Sequence, residues 1–185
     1  MSALKLVAVY ANKKPPADPA AMTLAATAEQ TDHLPFASLV ISDAPDLLLA
    51  NNGSPLGLYL VSERAMLNRP LQDLAPQDLP GSVGIFPMIA KPSLNPASAD
   101  RHWQQVHAPL ALQVHAAMTH YYQLQIVHRF FGPVWHGLAL CCFASEQDLR
   151  EKMYDSAEGK QRIASDIANF ADTKRSPRKV VARVV

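Results

Sequence analysis

Six of the chain's seven histidines fall between residues 102 and 136. Imidazole is the side chain whose charge changes near neutrality, so proton chemistry is to be sought in this stretch. His107 stands out because it follows Trp103 by four residues. On a helix that spacing stacks the two side chains on one face. Val106, Leu110 and Val114 share the helical spacing of Trp103, so the face is apolar. A histidine there is either a general base tuned by its surroundings or a core histidine. In the second case a strand carbonyl or a carboxylate such as Asp166 satisfies it.

Tyr121, Gln123 and Gln125 alternate, so on a strand they share one face. Leu124 and Ile126 take the other, which is expected to lie under the helices. A sheet face carrying Tyr and Gln suits a cavity wall with a few polar contacts, and equally a solvated or interface face. Trp103 is a packing anchor or a wall of the same cavity. His107 is thus the candidate catalytic residue, and Trp103, Tyr121, Gln123 and Gln125 are the candidate substrate-binding residues.

Other chemistries lack their residues. The histidine spacings contain no HExxH, and no CxxC is present, so no metal site is expected. The phosphate-cradling patterns GxGxxG and GxxxxGK[ST] are missing, as is GxSxG, so no nucleotide cofactor and no serine elbow are expected. Cys141 and Cys142 are adjacent and point to opposite faces of a strand, which does not suit a disulfide. Lone cysteines fit a reducing compartment, and the cytoplasm is the expected location. A formal net charge of +1 gives no basic field for nucleic acid. No apolar run is long enough to cross a bilayer, and residues 1–10 lack a secretory pattern. With 49% hydrophobic and 18% charged residues, the chain can build a sizeable core. The expected partner is a small apolar or aromatic molecule, with no nucleic acid and no membrane; a homodimer is left open.

The elements that must position these residues follow from pattern. Strands are expected at Leu4–Ala11, Phe36–Ser42, Leu56–Val61, Val83–Ala90, Tyr121–His128, Trp135–Phe143 and Lys179–Val184. Helices are expected at Ala20–Glu29, capped by Asp18, and weakly at Glu63–Asn68. A long helix is expected from Ala97 to His115, with Asn95 as cap and Pro96 at its first position. Ser145 with Asp148 marks another helix start, and Ile163, Ile167 and Phe170 form a further stripe. Residues 75–82 read as a linker. The second half therefore reads β-α-β-β-α-β, the ferredoxin-like pattern. Lys14-Pro15 with Pro19-Ala20 is echoed by Lys91-Pro92 with Pro96-Ala97, each after a strand. The fold class is accordingly α+β: two tandem ferredoxin-like halves, residues 1–80 and 82–185, packed sheet to sheet as an α/β barrel. The first half lacks counterparts to Trp103 and His107.

The run Arg101-His102-Trp103-Gln104-Gln105-Val106-His107-Ala108-Pro109-Leu110 resembles the signature of EthD-type proteins, named for ethyl tert-butyl ether degradation. Gly137-Leu138-Ala139-Leu140 leading to Phe143 and Ser145 resembles the family's third strand and helix start. Asp166, Phe170 and Asp172 resemble its closing pattern. The likeness covers residues 82–185, with His102 where the family usually has Tyr. It implies a dimeric α/β barrel enclosing a small cavity, here formed within one chain. It also implies a role in a degradation or tailoring pathway. That role is a lyase, isomerase or cofactor-free oxygenase step assisted by His107, or that of a non-catalytic carrier; haem handling is a more distant alternative.

Overall fold

A computed structural model describes residues 3–15, 21–29, 32–44, 54–69, 79 and 81–185. Eight strands are present: β1 (Ala3–Tyr10), β2 (Ala21–Ala26), β3 (Ser38–Ser42), β4 (Gly57–Asn68), β5 (Ser82–Met88), β6 (His120–Phe131), β7 (Gly137–Phe143) and β8 (Val180–Val184). They close into one barrel in the order β1-β3-β2-β8-β5-β7-β6-β4, with every neighbouring pair antiparallel. The first half contributes the run β4-β1-β3-β2 and the second β8-β5-β7-β6. The two runs meet edge to edge rather than stacking as separate sheets. One seam is long, β4 on β6 from Leu58↔Phe131 to Asn68↔His120. The other is short, β2 on β8 from Leu24↔Val184 to Ala26↔Ala182. Closure by hydrogen bonds leaves no free sheet edge in the wall.

Helices pack on the outside of the second half. After β5 come α1 (Pro96–His102), a π-helical segment (Trp103–His107) and α2 (Ala108–Val114), one continuous rod. After β7 come α3 (Glu146–Glu151) and α4 (Ala157–Phe170). The caps are those the sequence implies: Asn95 accepts from the Ser98 N–H with Pro96 at the first position, and Ser145 accepts from the Asp148 N–H.

Strand alternation sends one set of side chains into the barrel and the other outward. Val7, Val9, Val83, Ile85, Leu124, Leu138, Leu140, Val180 and Ala182 fill the interior. Tyr59 stacks on Trp135 at 5.7 Å, and Phe36 meets the same indole at 5.8 Å. An eight-stranded barrel is just wide enough for side chains to fill, and here the core occupies the lumen.

Four expectations need correction. Within Ala20–Glu29, Ala21–Ala26 form strand β2, because Leu24 and Ala26 enter the lumen and β3 and β8 offer ladder partners. Alanine's helix propensity is worth under about 1 kcal/mol per residue and yields to that packing. Glu63–Asn68 extends β4 as a strand, held by the long ladder to β6. Val106 is 49% exposed and does not belong to the buried stripe. The two faces of β6 are also reversed. Leu124 and Ile126 face the lumen, whereas Tyr121 and Gln123 lie under the helices. The Asp18 cap and most of the 75–82 linker lie outside the described residues.

Candidate active site

The site is built where the rod crosses the outer face of β6 and β7. Gly137 opens β7 beneath Trp103: a Cβ on it would stand 2.5 Å from the indole Cζ3. The indole therefore reaches the sheet, 2% exposed, and its Nε1–H donates to the Tyr121 hydroxyl at 3.2 Å. Arg64 of β4 crosses the same ring at 5.6 Å and clamps Asp100 of α1 through two hydrogen bonds of 2.6 and 3.0 Å. Gln123 spans the remaining gap, donating to the Trp103 carbonyl and to the Tyr121 hydroxyl, both at 3.0 Å.

The π segment has a local cause and a geometric consequence. Pro109 has no N–H, so the Gln105 carbonyl loses its ordinary helical donor. The Ala108 N–H bonds instead to the Trp103 carbonyl five residues back. In an α-helix residues five apart lie about 140° apart around the axis. A turn closed from i to i+5 brings them onto the same side. His102 and His107 are such a pair, and one carboxylate takes both. Asp166 Oδ1 lies 2.8 Å from His102 Nε2, and Asp166 Oδ2 lies 2.8 Å from His107 Nδ1. Phe170, one helical turn past Asp166, stacks on His102 at 5.3 Å and meets His107 at 5.1 Å.

His107 is 8% exposed. Burial pulls its imidazole below the ordinary value of 6.5, outweighing the upward pull of Asp166. The ring is therefore neutral at pH 7. With Nδ1–H donated to the carboxylate, Nε2 carries the lone pair, and it makes no hydrogen bond among the described residues. An imidazole oriented by a buried carboxylate, with its second nitrogen free, is the arrangement of a general base.

His107 lines a cavity of about 250 Å³ between the helices and the outer face of the sheet. Its walls are mainly apolar, with Phe86, Met88, Trp103, Ile167 and Phe170 among them. Tyr121 and His115 also line it. His115 is itself held by the Met153 carbonyl and tilts against Tyr154. The cavity is thus outside the barrel and not between two sheets, because the lumen is already full.

Of the sequence candidates, His107, Trp103 and Tyr121 converge on this cavity. Gln123 stands behind it as a support. Gln125, farther along β6 opposite Ser62 and Gly137, is not among its lining residues. Asp166 was legible as a possible partner of His107, but the role of His102 was not. Its spacing to His107 looks wrong until the π turn is known. Among the described residues no group of three or more ligating side chains converges on a metal position. No helix of the described residues is long and apolar enough to cross a membrane.

The EthD domain family matches residues 91–174, which include His102, Trp103, His107, Tyr121 and Asp166. Over these residues the chain is similar to EthD domains, in line with the sequence resemblance. No curated protein matches. Among solved structures, an anthrone oxidase-like protein aligns with a TM-score of 0.57 at 12% identity, over 98% of this chain and 91% of its own. A protein described as a candidate monooxygenase from Lactobacillus acidophilus aligns at 0.48 and 9% identity, over 100% and 93%. A candidate chlorite dismutase aligns at 0.49 and 12% identity, over 100% and 95%. The first of these shares the fold.

Proposed function

We propose that the protein binds a small apolar or aromatic molecule in the cavity beside the π segment and exchanges a proton with it through His107. One observation carries this reading. The His107 ring is fixed by Asp166 at 2.8 Å through Nδ1, while Nε2 has no partner among the described residues and the ring lines an apolar cavity. A carboxylate on one nitrogen suits a core histidine as well; the unpartnered second nitrogen and the cavity beside the ring are what favour the base. A neutral imidazole in such a site accepts a proton from a carbon or oxygen acid, and Asp166 stabilises the imidazolium that results. Proton abstraction is the step common to lyases, isomerases and cofactor-free oxygenases. The anthrone oxidase-like description of one solved structure of this fold is compatible with the last of these.

The architecture behind this reading is a tandem pair of ferredoxin-like halves, residues 1–80 and 82–185, in a degradation or tailoring role. The supporting observation is that β4-β1-β3-β2 and β8-β5-β7-β6 repeat one strand order. The residues lining the cavity all belong to the second half, while the first half closes the barrel and reaches the site through Arg64.

Deuterium exchange at the benzylic α-carbon of 2-tetralone, a bicyclic ketone, tests the chemistry. The wild-type protein is expected to accelerate exchange above buffer, and His107→Gln to lower that acceleration by roughly 10²-fold or more. Equal exchange by a folded His107→Gln protein would make His107 structural and leave the carrier reading in place.

A further inference from the structure

The hydroxyl of Tyr121 has an unusual hydrogen-bond balance. Two groups point at its oxygen: indole Nε1 of Trp103 at 3.2 Å and amide Nε2 of Gln123 at 3.0 Å. The indole nitrogen can only donate. The Gln123 amide is fixed the same way, because its Nε2 also reaches the Trp103 carbonyl at 3.0 Å, and a carbonyl can only accept. Neither nitrogen can take the phenolic proton, and the Gln123 Oε1, buried and itself without a partner, makes no hydrogen bond to the hydroxyl. The oxygen thus accepts two hydrogen bonds, and its own O–H has no acceptor among the described residues. A buried donor without an acceptor is costly. Tyr121 lines the same cavity as His107, so the cavity is where an acceptor can stand.

We propose that Tyr121 is an obligatory hydrogen-bond donor into the cavity and that the molecule bound there presents a carbonyl oxygen to it. This rests on the reading of His107 as the base of the same cavity, and it names the substrate class: apolar, often aromatic, ketones with an acidic hydrogen on the carbon next to the carbonyl. The proton goes from that carbon to His107 Nε2 as the C–H bond breaks. The electron pair moves to the carbonyl oxygen, giving an enolate. Tyr121 keeps its proton and donates a hydrogen bond that strengthens as the oxygen gains charge. Return of the proton from His107 regenerates the ketone or its isomer, and atoms and charge balance with no co-reactant. Burial pushes the phenol well above its ordinary pKa, which keeps it a donor at neutral pH. Trp103 and Gln123 are positioning residues: they fix the phenolic oxygen and bar its proton from turning back into the protein.

The test compares 2-tetralone with tetralin, the same bicycle without the carbonyl. Wild-type protein is expected to bind the ketone about 5- to 10-fold more tightly than the hydrocarbon, the size of one hydrogen bond. Tyr121→Phe is expected to bring that ratio to about one. Because the ratio is taken within one protein, a loss of folded material does not mimic it. The infrared carbonyl stretch of 2-tetralone bound to wild type gives a second measurement that needs no variant. A frequency below that in an apolar solvent supports the proposal, and a frequency equal to it overturns it. A wild-type ratio of one, or an unchanged ratio in Tyr121→Phe, also overturns it. Failure of the His107 reading looks different: exchange is unaffected by His107→Gln, while the ketone preference and the carbonyl shift persist.

Discussion

Asp166 has only two oxygens, and each accepts from a different imidazole, His102 on one side and His107 on the other. Asn would preserve the shape but replace one acceptor with a donor, so one histidine must change tautomer or lose its bond. Asp166→Asn is expected to lower unfolding free energy by about 1.5–3 kcal/mol, the scale of a hydrogen bond to a charged group. Denaturant titration measures this. Nitrogen-15 spectra of the imidazoles should at the same time show His107 losing its single tautomer. An unchanged tautomer with unchanged stability would mean that the carboxylate does not hold the ring. His102 adds to the arrangement because its positive form would sit beside His107 and oppose a second proton there.

At the scale of elements, the contact between rod and sheet depends on a missing side chain. Gly137 of β7 lets the Trp103 indole reach the sheet, where Tyr121 and Gln123 of β6 engage it. Gly137→Ala places a methyl within 2.5 Å of a ring atom, so the indole has to move. Overpacking of this kind costs about 1–3 kcal/mol, and the Trp103–Tyr121 bond should be lost with it. The expected result is a lower denaturation midpoint together with a shifted tryptophan fluorescence maximum. A midpoint and spectrum equal to wild type would show that the rod does not rest on β7 at this point. Arg64 acts at the same junction: it lies on β4 of the first half and grips Asp100 on α1 of the second.

For the molecule as a whole, protonation and folding are linked through the buried histidines. His107, His115, His120 and His136 all have pKa values lowered from 6.5, with burial the leading cause in each. A lowered value in the folded state means that the unfolded chain binds protons first as acid is added. The contribution of these groups is intact above pH 6.5 and is lost as pH falls through their lower folded values. Unfolding free energy should therefore decline steadily from pH 6.5 downward, and replacing His115 with Gln should flatten part of that slope. Chemical denaturation at several pH values checks the sign. A protein more stable at pH 5 than at pH 7 would contradict the burial of these rings as neutral groups.

The sequence by itself determined most of the second half and which side chains to watch. Periodicity in Ile163, Ile167 and Phe170, the Asn95-Pro96 and Ser145 caps, and the alternation in β6 and β7 are local signals, set by backbone geometry within a few residues. They also singled out Trp103, His107 and Tyr121. Only the tertiary structure decided which face of β6 lies inward, because Tyr122, Leu124 and Ile126 are as compatible with a helix layer as with a barrel lumen. It decided that Ala21–Ala26 is a strand, since the ladder partners on β3 and β8 are distant in sequence. It also decided that His102 belongs to the site. A five-residue spacing joins two side chains only where the helix closes from i to i+5, and the carboxylate that takes both rings comes from Asp166 on a distant helix.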